Sequence, residues 1–205
     1  PFLLALRRKG LRDTAVLRAF ETVPRSRFAP HRLADLALSD IALPIACGQS
    51  TTAPSLMAEM LIALDLHPRH RVLEIGTGSG YGTALLARLA GEVVSVERFR
   101  SLVLEASVRL ESLGVTNASV HLGDGRNGAP GTGVFDRILV DAAITALPAP
   151  LISQLAPDGR IVAVERMEEG SFLVRYGRGG AGTLRRETFG RFALPPLMPG
   201  IAAAL

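Results

Sequence analysis

The chain has 205 residues, of which 48% are hydrophobic and 20% are charged. This balance predicts one globular domain and excludes an intrinsically disordered chain. The net charge is +4 and the basic side chains are almost all arginine, but they are scattered between apolar blocks and acids, which argues against a nucleic-acid-binding surface.

The single cysteine of the chain, Cys47, excludes an intramolecular disulfide and predicts a reducing, cytoplasmic environment. No apolar run reaches the length that would cross a membrane. The four histidines show no metal-ligand spacing and no paired acid, so we expect neither a metal nor a catalytic histidine.

The first third of the sequence predicts helices and a loop. Residues 13–22 repeat apolar side chains with a helical period. Residues 40–52 contain a proline, a glycine and a polar cluster, which predict an extended loop, and Pro54 then begins a helix at its first turn. Within one domain, we expect residues 1–66 to form a helical, substrate-binding extension and residues 67–205 to form a cofactor-binding core.

Strands and helices alternate in the rest of the chain, which predicts an α/β fold with a parallel sheet. A continuous apolar run such as residues 135–140 is typical of a strand that is covered on both faces. Residues 157–159 predict a turn into a fifth strand. Residues 172–176 and 183–192, joined by a glycine-rich hairpin at 177–182, predict antiparallel strands at the edge of the sheet.

The most informative segment is the strand, turn and helix of residues 71–82. The strand runs directly into the alternating Gly76, Gly78 and Gly80, where bare backbone and the N–H groups of a helix N-terminus favour a nucleotide-like ligand. Tyr81 stands where the dinucleotide fingerprint requires glycine or alanine, and no Gly-Lys-Ser/Thr occurs, so neither a dinucleotide motif nor a P-loop is predicted. The alternative is an ordinary glycine-rich turn.

Two acids that follow the next two strands weaken that alternative. Glu97 ends the second strand about 20 residues after the first glycine, where an acid bonds the ribose hydroxyls in such folds. Asp124 lies in a Gly-Asp-Gly turn after the third strand and is placed to meet an adenine amino group. Alternatively, Asp124 only supports its turn.

The alternating glycines, with Glu74 two residues before the first, resemble the first motif of class I S-adenosylmethionine methyltransferases, in which the acid helps to hold the methionyl ammonium. The resemblance implies a three-layer, Rossmann-like methyltransferase sandwich with a mostly parallel sheet, antiparallel C-terminal strands and N-terminal helices. It also implies that S-adenosyl-L-methionine is the cofactor. The implied cofactor-binding residues are Glu74, Gly76, Thr77, Gly78, Ser79, Glu97, Arg98, Gly123, Asp124, Gly125 and Asp141.

From about residue 11 to residue 200, the chain resembles the protein-L-isoaspartate O-methyltransferases. The specific signal is Gly48-Gln49 followed by a run of hydroxyl residues, upstream of the glycine motif. In that family the run ends in an active-site serine, whose position falls on Thr52, so Thr52 is the implied catalytic residue. Alternatively, Thr52 caps the helix that begins near Pro54. The implied substrate-binding residues are Gln49, Ser50, Thr51 and Ala53.

The resemblance implies an S-adenosylmethionine-dependent carboxyl O-methyltransferase that acts on L-isoaspartyl or D-aspartyl residues of damaged proteins and initiates their repair. Its partner is then a protein or peptide that bears isoaspartate, with no metal and no membrane involved. Such an acceptor is a carboxylate with a reference pKa of about 4, so no general base is needed.

The chain departs from the family pattern after the fourth strand, where the usual threonine is Asp141. Near the sulfonium, this acid repels an acceptor carboxylate or selects another acceptor; alternatively, it points into solvent. Three other functions stay open: an aspartate methyltransferase that tailors a dedicated peptide, a nucleic-acid methyltransferase, and an inactive cofactor-binding protein. The second is disfavoured because no Asn/Asp-Pro-Pro-Tyr/Phe motif follows the fourth strand.

Overall fold

The computed structural model describes residues 2–179 and 183–202, so that residues 180–182 of the predicted hairpin lie outside the described part. Over the described residues the chain forms six α-helices and seven strands. The helices are α1 (Phe2–Arg8), α2 (Thr14–Thr22), α3 (Pro54–Leu64), α4 (Tyr81–Leu89), α5 (Arg100–Ser112) and α6 (Ala149–Ser153). The strands are β1 (Arg71–Ile75), β2 (Glu92–Glu97), β3 (Ala118–Leu122), β4 (Phe135–Ile144), β5 (Leu155–Met167), β6 (Gly170–Arg178) and β7 (Leu184–Arg191).

The seven strands form one sheet in the order β3-β2-β1-β4-β5-β6-β7. The first five strands in that order run parallel, and β6 and β7 are antiparallel to their neighbours. Successive residues of the central strands enter opposite buried clusters: Val72 packs with the N-terminal helices and α4, and Leu73 packs with α6 on the other face. The predicted α/β architecture is therefore confirmed.

Two local features differ from the prediction. The fourth strand does not end at Val140 but continues to Ile144, with a shift of register against β5 between Val140 and Ala143. Such a bulge redirects side chains, and it aims Asp141 towards the carboxyl ends of the strands. The predicted turn at residues 157–159 lies within β5 as a second irregularity, with Asp158 at a φ of 58°.

After β7 the chain returns across the carboxyl ends of the strands. Pro196 forms a parallel bridge with Ala143. The Ala143 N–H donates to the Pro195 carbonyl at 2.7 Å, and the Leu197 N–H donates to the Ala143 carbonyl at 2.8 Å. Residues 194–198, which we call the closing segment, therefore lie beside the point where β4 bulges.

Candidate active site

A cavity of about 240 Å³ opens at the carboxyl ends of β1, β2 and β4. This is where open α/β sheets bind their ligands. Its walls are the loop at residues 49–52, the glycine turn at residues 76–79, the end of β2 and the closing segment. The lining residues are Gln49, Ser50, Thr51, Thr52, Met57, Ile75, Gly76, Thr77, Gly78, Ser79, Tyr81, Gly82, Val96, Glu97, Arg98, Phe99, Gly125, Asp141, Ala142, Leu194, Pro195, Pro196, Leu197 and Met198.

The glycine turn needs glycine for both conformation and space. Gly76, Gly78 and Gly80 have φ angles of 97°, 53° and 90°, in the left-handed region that other residues rarely adopt. A Cβ on Gly76 would lie 3.2 Å from the carbonyl oxygen of Asp141. The turn therefore presents bare backbone to the cavity and packs directly against the end of β4.

Glu97 joins this turn to the end of β2. One carboxylate oxygen, Oε2, accepts the N–H of Gly78 at 2.9 Å, and Oε1 accepts the N–H groups of Arg98 and Phe99 at 2.8 and 3.0 Å. The residue is only 6% exposed, yet it lines the cavity. The structure thus brings Glu97 to the site, and its bond to a ribose stays a prediction.

Glu74 lies underneath the turn instead of on the cavity surface. It is fully buried, and its Oε2 accepts the hydroxyl protons of Thr83 and Ser95. Ser95 has one proton to give, so the 2.5 Å contact of Thr77 with Ser95 has the Thr77 hydroxyl as donor. Alternation along β1 turns Glu74 towards α4, where a Cβ on Gly82 would lie 2.5 Å from Oε1. The predicted direct contact of Glu74 with a methionyl ammonium is therefore not supported.

The environment of Glu74 changes its acidity. Burial raises the pKa of Glu74 to about 8, and the charges of Asp141 and Glu97 act in the same direction. Its Oε1 has no hydrogen-bond partner among the described residues. Near neutral pH the group is therefore mainly a neutral acid whose second oxygen is unsatisfied.

Asp124 is also turned away from the cavity. Its Oδ1 accepts the N–H of Arg126 at 2.9 Å, and its Oδ2 accepts the N–H of Gly200 at 2.8 Å. Of the Gly-Asp-Gly turn only Gly125 lines the cavity. The geometry favours the alternative interpretation, an acid that supports its turn, and it adds a link to the end of the chain. The predicted contact of Asp124 with adenine is not supported.

Arg98 lines the cavity, but its guanidinium serves the same C-terminal stretch. It donates to the carbonyls of Gly200 and Pro199 at 3.1 and 3.3 Å. The Ala202 N–H in turn donates to the Arg98 carbonyl at 3.0 Å. Arg98 and Asp124 thus both stabilise the course of the chain beyond the closing segment.

The loop at residues 49–52 divides its side chains between the protein and the cavity. Thr51 turns inwards, and its hydroxyl oxygen accepts from the Leu43 N–H and from Arg25, each at 3.1 Å. Gln49 and Ser50 line the cavity, whereas Ala53 is the N-terminal cap residue of α3 and does not. The Thr51 hydroxyl therefore bonds within the protein although the residue also lines the cavity, and its contact with substrate stays a prediction.

Arg25 is a residue that the sequence reasoning missed. It is 3% exposed, and besides Thr51 its guanidinium donates to the carbonyls of Ala37, Ser39 and Ile41 at 2.7 to 3.1 Å. Burial lowers its pKa from the ordinary value. This one side chain joins the turn at residues 37–41 to Thr51 of the loop. Its sequence context, Pro-Arg-Ser, carries no signal of that role.

Thr52 faces the cavity and bonds to Asp141. Its hydroxyl donates to Asp141 Oδ1 at 2.5 Å. Thr52 does not cap α3, because the Ser55 N–H at the start of that helix donates to Asp40 instead, at 2.7 Å. Burial raises the pKa of Asp141 to about 6, with Glu97 acting in the same direction. The hydroxyl and the unusual acid are therefore parts of one site.

The closing segment is the other part of the site that was not predicted. Pro195-Pro196 favours extended chain, but no sequence signal tells where that chain lies.

Among the residues that the structure describes, no group of three or more His, Cys, Asp or Glu side chains is arranged to hold a metal ion. None of the described helices is long and apolar enough to span a bilayer.

Comparison with known proteins relates this site to one family. Residues 2–194 match the model of the protein-L-isoaspartate(D-aspartate) O-methyltransferases. The chain is 49% identical over 205 residues to a protein-L-isoaspartate O-methyltransferase of Xanthobacter autotrophicus, covering all of this chain and 93% of that one. It is 50% identical over 208 residues to protein-L-isoaspartate O-methyltransferase 2 of Rhodopseudomonas palustris, covering all of this chain and 94% of that one.

Solved structures agree. One protein-L-isoaspartate O-methyltransferase superposes with a TM-score of 0.85 at 25% identity, covering 98% of this chain and 66% of that longer chain. A second, from Plasmodium falciparum and in complex with S-adenosyl-L-homocysteine, superposes with a TM-score of 0.83 at 21% identity, covering 96% of both chains. At 21% identity, the similarity to the Plasmodium falciparum structure establishes a shared fold only.

Proposed function

The chain belongs to the protein-L-isoaspartate(D-aspartate) O-methyltransferase family, whose members use S-adenosylmethionine, and from that premise we propose that it methylates the free carboxylate of isoaspartyl residues in damaged proteins. The observation that carries the proposal is the shared cavity. The hydroxyl loop at residues 49–52 and the glycine turn at residues 76–79 form facing walls of one space. An acceptor held at the first wall can thus meet a cofactor held at the second.

The residues present fit the cofactor. Gly76 and Gly78 offer backbone without side chains, and the Glu97 carboxylate is fixed at the cavity surface by three N–H donors. Ile75, Val96 and several residues of the closing segment add an apolar lining. When bound, S-adenosylmethionine supplies a methyl group activated by its sulfonium.

The work left to the protein is alignment and the exclusion of water. The acceptor is ionised near neutral pH, so no side chain has to remove a proton. One acceptor oxygen forms the new bond to the methyl carbon while the bond from that carbon to sulfur breaks, and the electron pair remains on sulfur. Holding nucleophile and methyl in line, away from water, lowers the barrier. In this proposal Thr52 and Asp141 orient the acceptor, and the closing segment helps to exclude water.

The decisive experiment offers labelled S-adenosylmethionine and two peptides that differ only in carrying isoaspartate or aspartate at one position. We expect base-labile methyl ester on the isoaspartyl peptide alone. Label on the aspartyl peptide would favour tailoring of a dedicated peptide, and label on RNA in a parallel reaction would favour a nucleic-acid methyltransferase. Either result without isoaspartyl methylation would contradict the proposal.

The proposal extends to the compartment. A single cysteine, Cys47, cannot form an intramolecular disulfide and suits the reducing cytoplasm, where damaged cytoplasmic proteins are the substrates. Cell fractionation followed by immunodetection tests this, and recovery outside the cytoplasm would contradict it.

A further inference from the structure

The hydrogen bond from Thr52 to Asp141 leaves the Thr52 hydroxyl without a proton to donate to an acceptor. The inference drawn from this bond rests on the proposed function, in which the acceptor is a carboxylate. A threonine hydroxyl has one proton, and in this structure that proton is directed to Asp141 Oδ1 at 2.5 Å. While this bond exists, Thr52 cannot donate to an acceptor carboxylate. The hydroxyl that the family resemblance assigns to catalysis thus presents only lone pairs to an anionic substrate.

The charges around Asp141 make the problem more severe. Burial and the charge of Glu97 on β2 both raise the pKa of Asp141, whereas Glu74 on β1 is mainly a neutral acid near neutral pH and adds little charge. Neither α3, β5 nor the closing segment contributes a charged residue to the cavity. Arg98 is the one basic residue among the described residues that line the cavity, and its guanidinium is engaged with the carbonyls of Pro199 and Gly200. Tyr81 on α4 stays neutral, since burial raises its pKa.

A carboxylate acceptor therefore needs a neutral donor in this cavity. Asp141 Oδ2 accepts no hydrogen bond from the described residues, although Asp141 lines the cavity and Oδ1 is fixed by Thr52. The bulge at the end of β4 aims the carboxyl group at this space. A proton on Oδ2 would convert the least favourable group for an anion into a hydrogen-bond donor.

We propose that Asp141 binds the acceptor in its protonated form, with Oδ2–H donating to one oxygen of the isoaspartyl carboxylate and Thr52 holding Oδ1. The second acceptor oxygen forms the bond to the methyl carbon as the bond from carbon to sulfur breaks, and the proton stays on Asp141 throughout. Thr52 is then a positioning residue that acts through Asp141.

The order of acidities supports this arrangement. Burial raises the pKa of Asp141 to about 6, whereas an aspartyl-type acceptor has a reference pKa of about 4. A proton shared between the two groups therefore resides on Asp141. The negative charge of the incoming acceptor acts on Asp141 in the same direction as Glu97 does, so acceptor binding at higher pH takes up a proton.

The test is the pH dependence of kcat/KM for an isoaspartyl peptide at saturating cofactor. For the wild type we expect a tenfold fall for each pH unit above the Asp141 pKa. Asp141→Asn keeps a neutral donor and has no proton to lose, so its profile should be flat from pH 6 to pH 8. At pH 8, two units above the pKa of about 6, the variant should exceed the wild type by up to roughly 100-fold.

Asp158→Asn is the matched control, because it removes one exposed carboxylate far from the cavity at a left-handed position that asparagine tolerates. It should follow the wild-type profile. Parallel profiles for the wild type and Asp141→Asn would overturn the inference. So would a loss of S-adenosylhomocysteine affinity in Asp141→Asn at every pH, because that result would make Asp141 an ionised ligand of the cofactor.

A measurement on the wild type alone keeps the inference testable if the variant does not fold. Titration calorimetry of the isoaspartyl peptide into the complex with S-adenosylhomocysteine, in two buffers of different ionisation enthalpy at pH 7.5, should show uptake of nearly one proton. Uptake of none would overturn the inference. Absence of isoaspartyl methylation at every pH would instead overturn the proposed function, so the two failures are distinguishable.

Discussion

Replacing Glu74 with glutamine separates the charge of this buried group from its shape. The glutamine oxygen can still accept the hydroxyl protons of Thr83 and Ser95, and its NH2 group takes the place of Oε1, which has no partner among the described residues. The variant therefore resembles the protonated form of the wild type. Comparing the two proteins at several pH values isolates the contribution of ionisation to stability.

The sign of the effect follows from the raised pKa of Glu74. Burial raises the pKa of Glu74 from an ordinary value of 4.5 to about 8, so between these values the folded protein keeps a proton that the unfolded chain has lost. The free energy of unfolding then falls as pH rises, by up to about 1.4 kcal/mol per pH unit. Because the slope decreases near pH 8, we expect a loss of roughly 2 kcal/mol between pH 6 and pH 8.

Urea unfolding at pH 6, 7 and 8 without cofactor measures this difference. The linkage between pKa and stability applies to Asp141 as well. Burial raises its pKa from 3.8 to about 6, so its effect on the free energy of unfolding falls mainly between pH 4 and pH 6. The wild type and the control Glu168→Gln, which alters an exposed carboxylate, should lose stability in parallel. Glu74→Gln should lose less by about 2 kcal/mol. Equal losses in all three proteins would refute the assignment of a raised pKa to Glu74.

Three further predictions concern the walls of the cavity. Glu97→Gln retains one of the two oxygens that accept backbone N–H groups, so S-adenosylhomocysteine should bind about 1.5–3 kcal/mol more weakly by calorimetry, and unchanged affinity would remove Glu97 from the cofactor site. Thr52→Val keeps the shape and removes the bond to Asp141, so the methylation rate should fall while cofactor affinity holds; a wild-type rate would make the hydroxyl mere filler. Arg25→Lys cannot reproduce the guanidinium fork that reaches three carbonyls and Thr51, so urea unfolding should show a loss above about 2 kcal/mol, and a loss under about 0.5 kcal/mol would contradict that role.

The fold was predictable because its signals are local. The central parallel strands β1, β2 and β4 are largely apolar runs because they are buried on both faces, whereas the edge strand β3 alternates half-buried and exposed residues. The extension of β4 to Ile144 was not predictable, since it depends on a bulge whose register is set by β5. The extra residues include Asp141, so the missed end of the strand is also where the site acquires its unusual acid.

For the site, sequence predicted positions better than side-chain directions. Gly76, Gly78 and Glu97 line the cavity as expected. The carboxyl group of Glu74 and the hydroxyl of Thr51 instead bond inside the protein, Glu74 Oε2 to two hydroxyls and Thr51 to an amide and a guanidinium. Which face a polar residue takes depends on partners that are distant in sequence, and a motif contains no information about those partners.

The closing segment has a consequence for how the molecule assembles. The cavity is lined by Thr52, Asp141 and Leu197, which are distant in sequence, and bringing such distant residues together costs loop-closure entropy. The α/β core can thus be complete while the cavity still lacks a wall. Retention of cofactor therefore reports on the finished tertiary structure of the cavity walls, whereas circular dichroism reports mainly on the helices and the sheet.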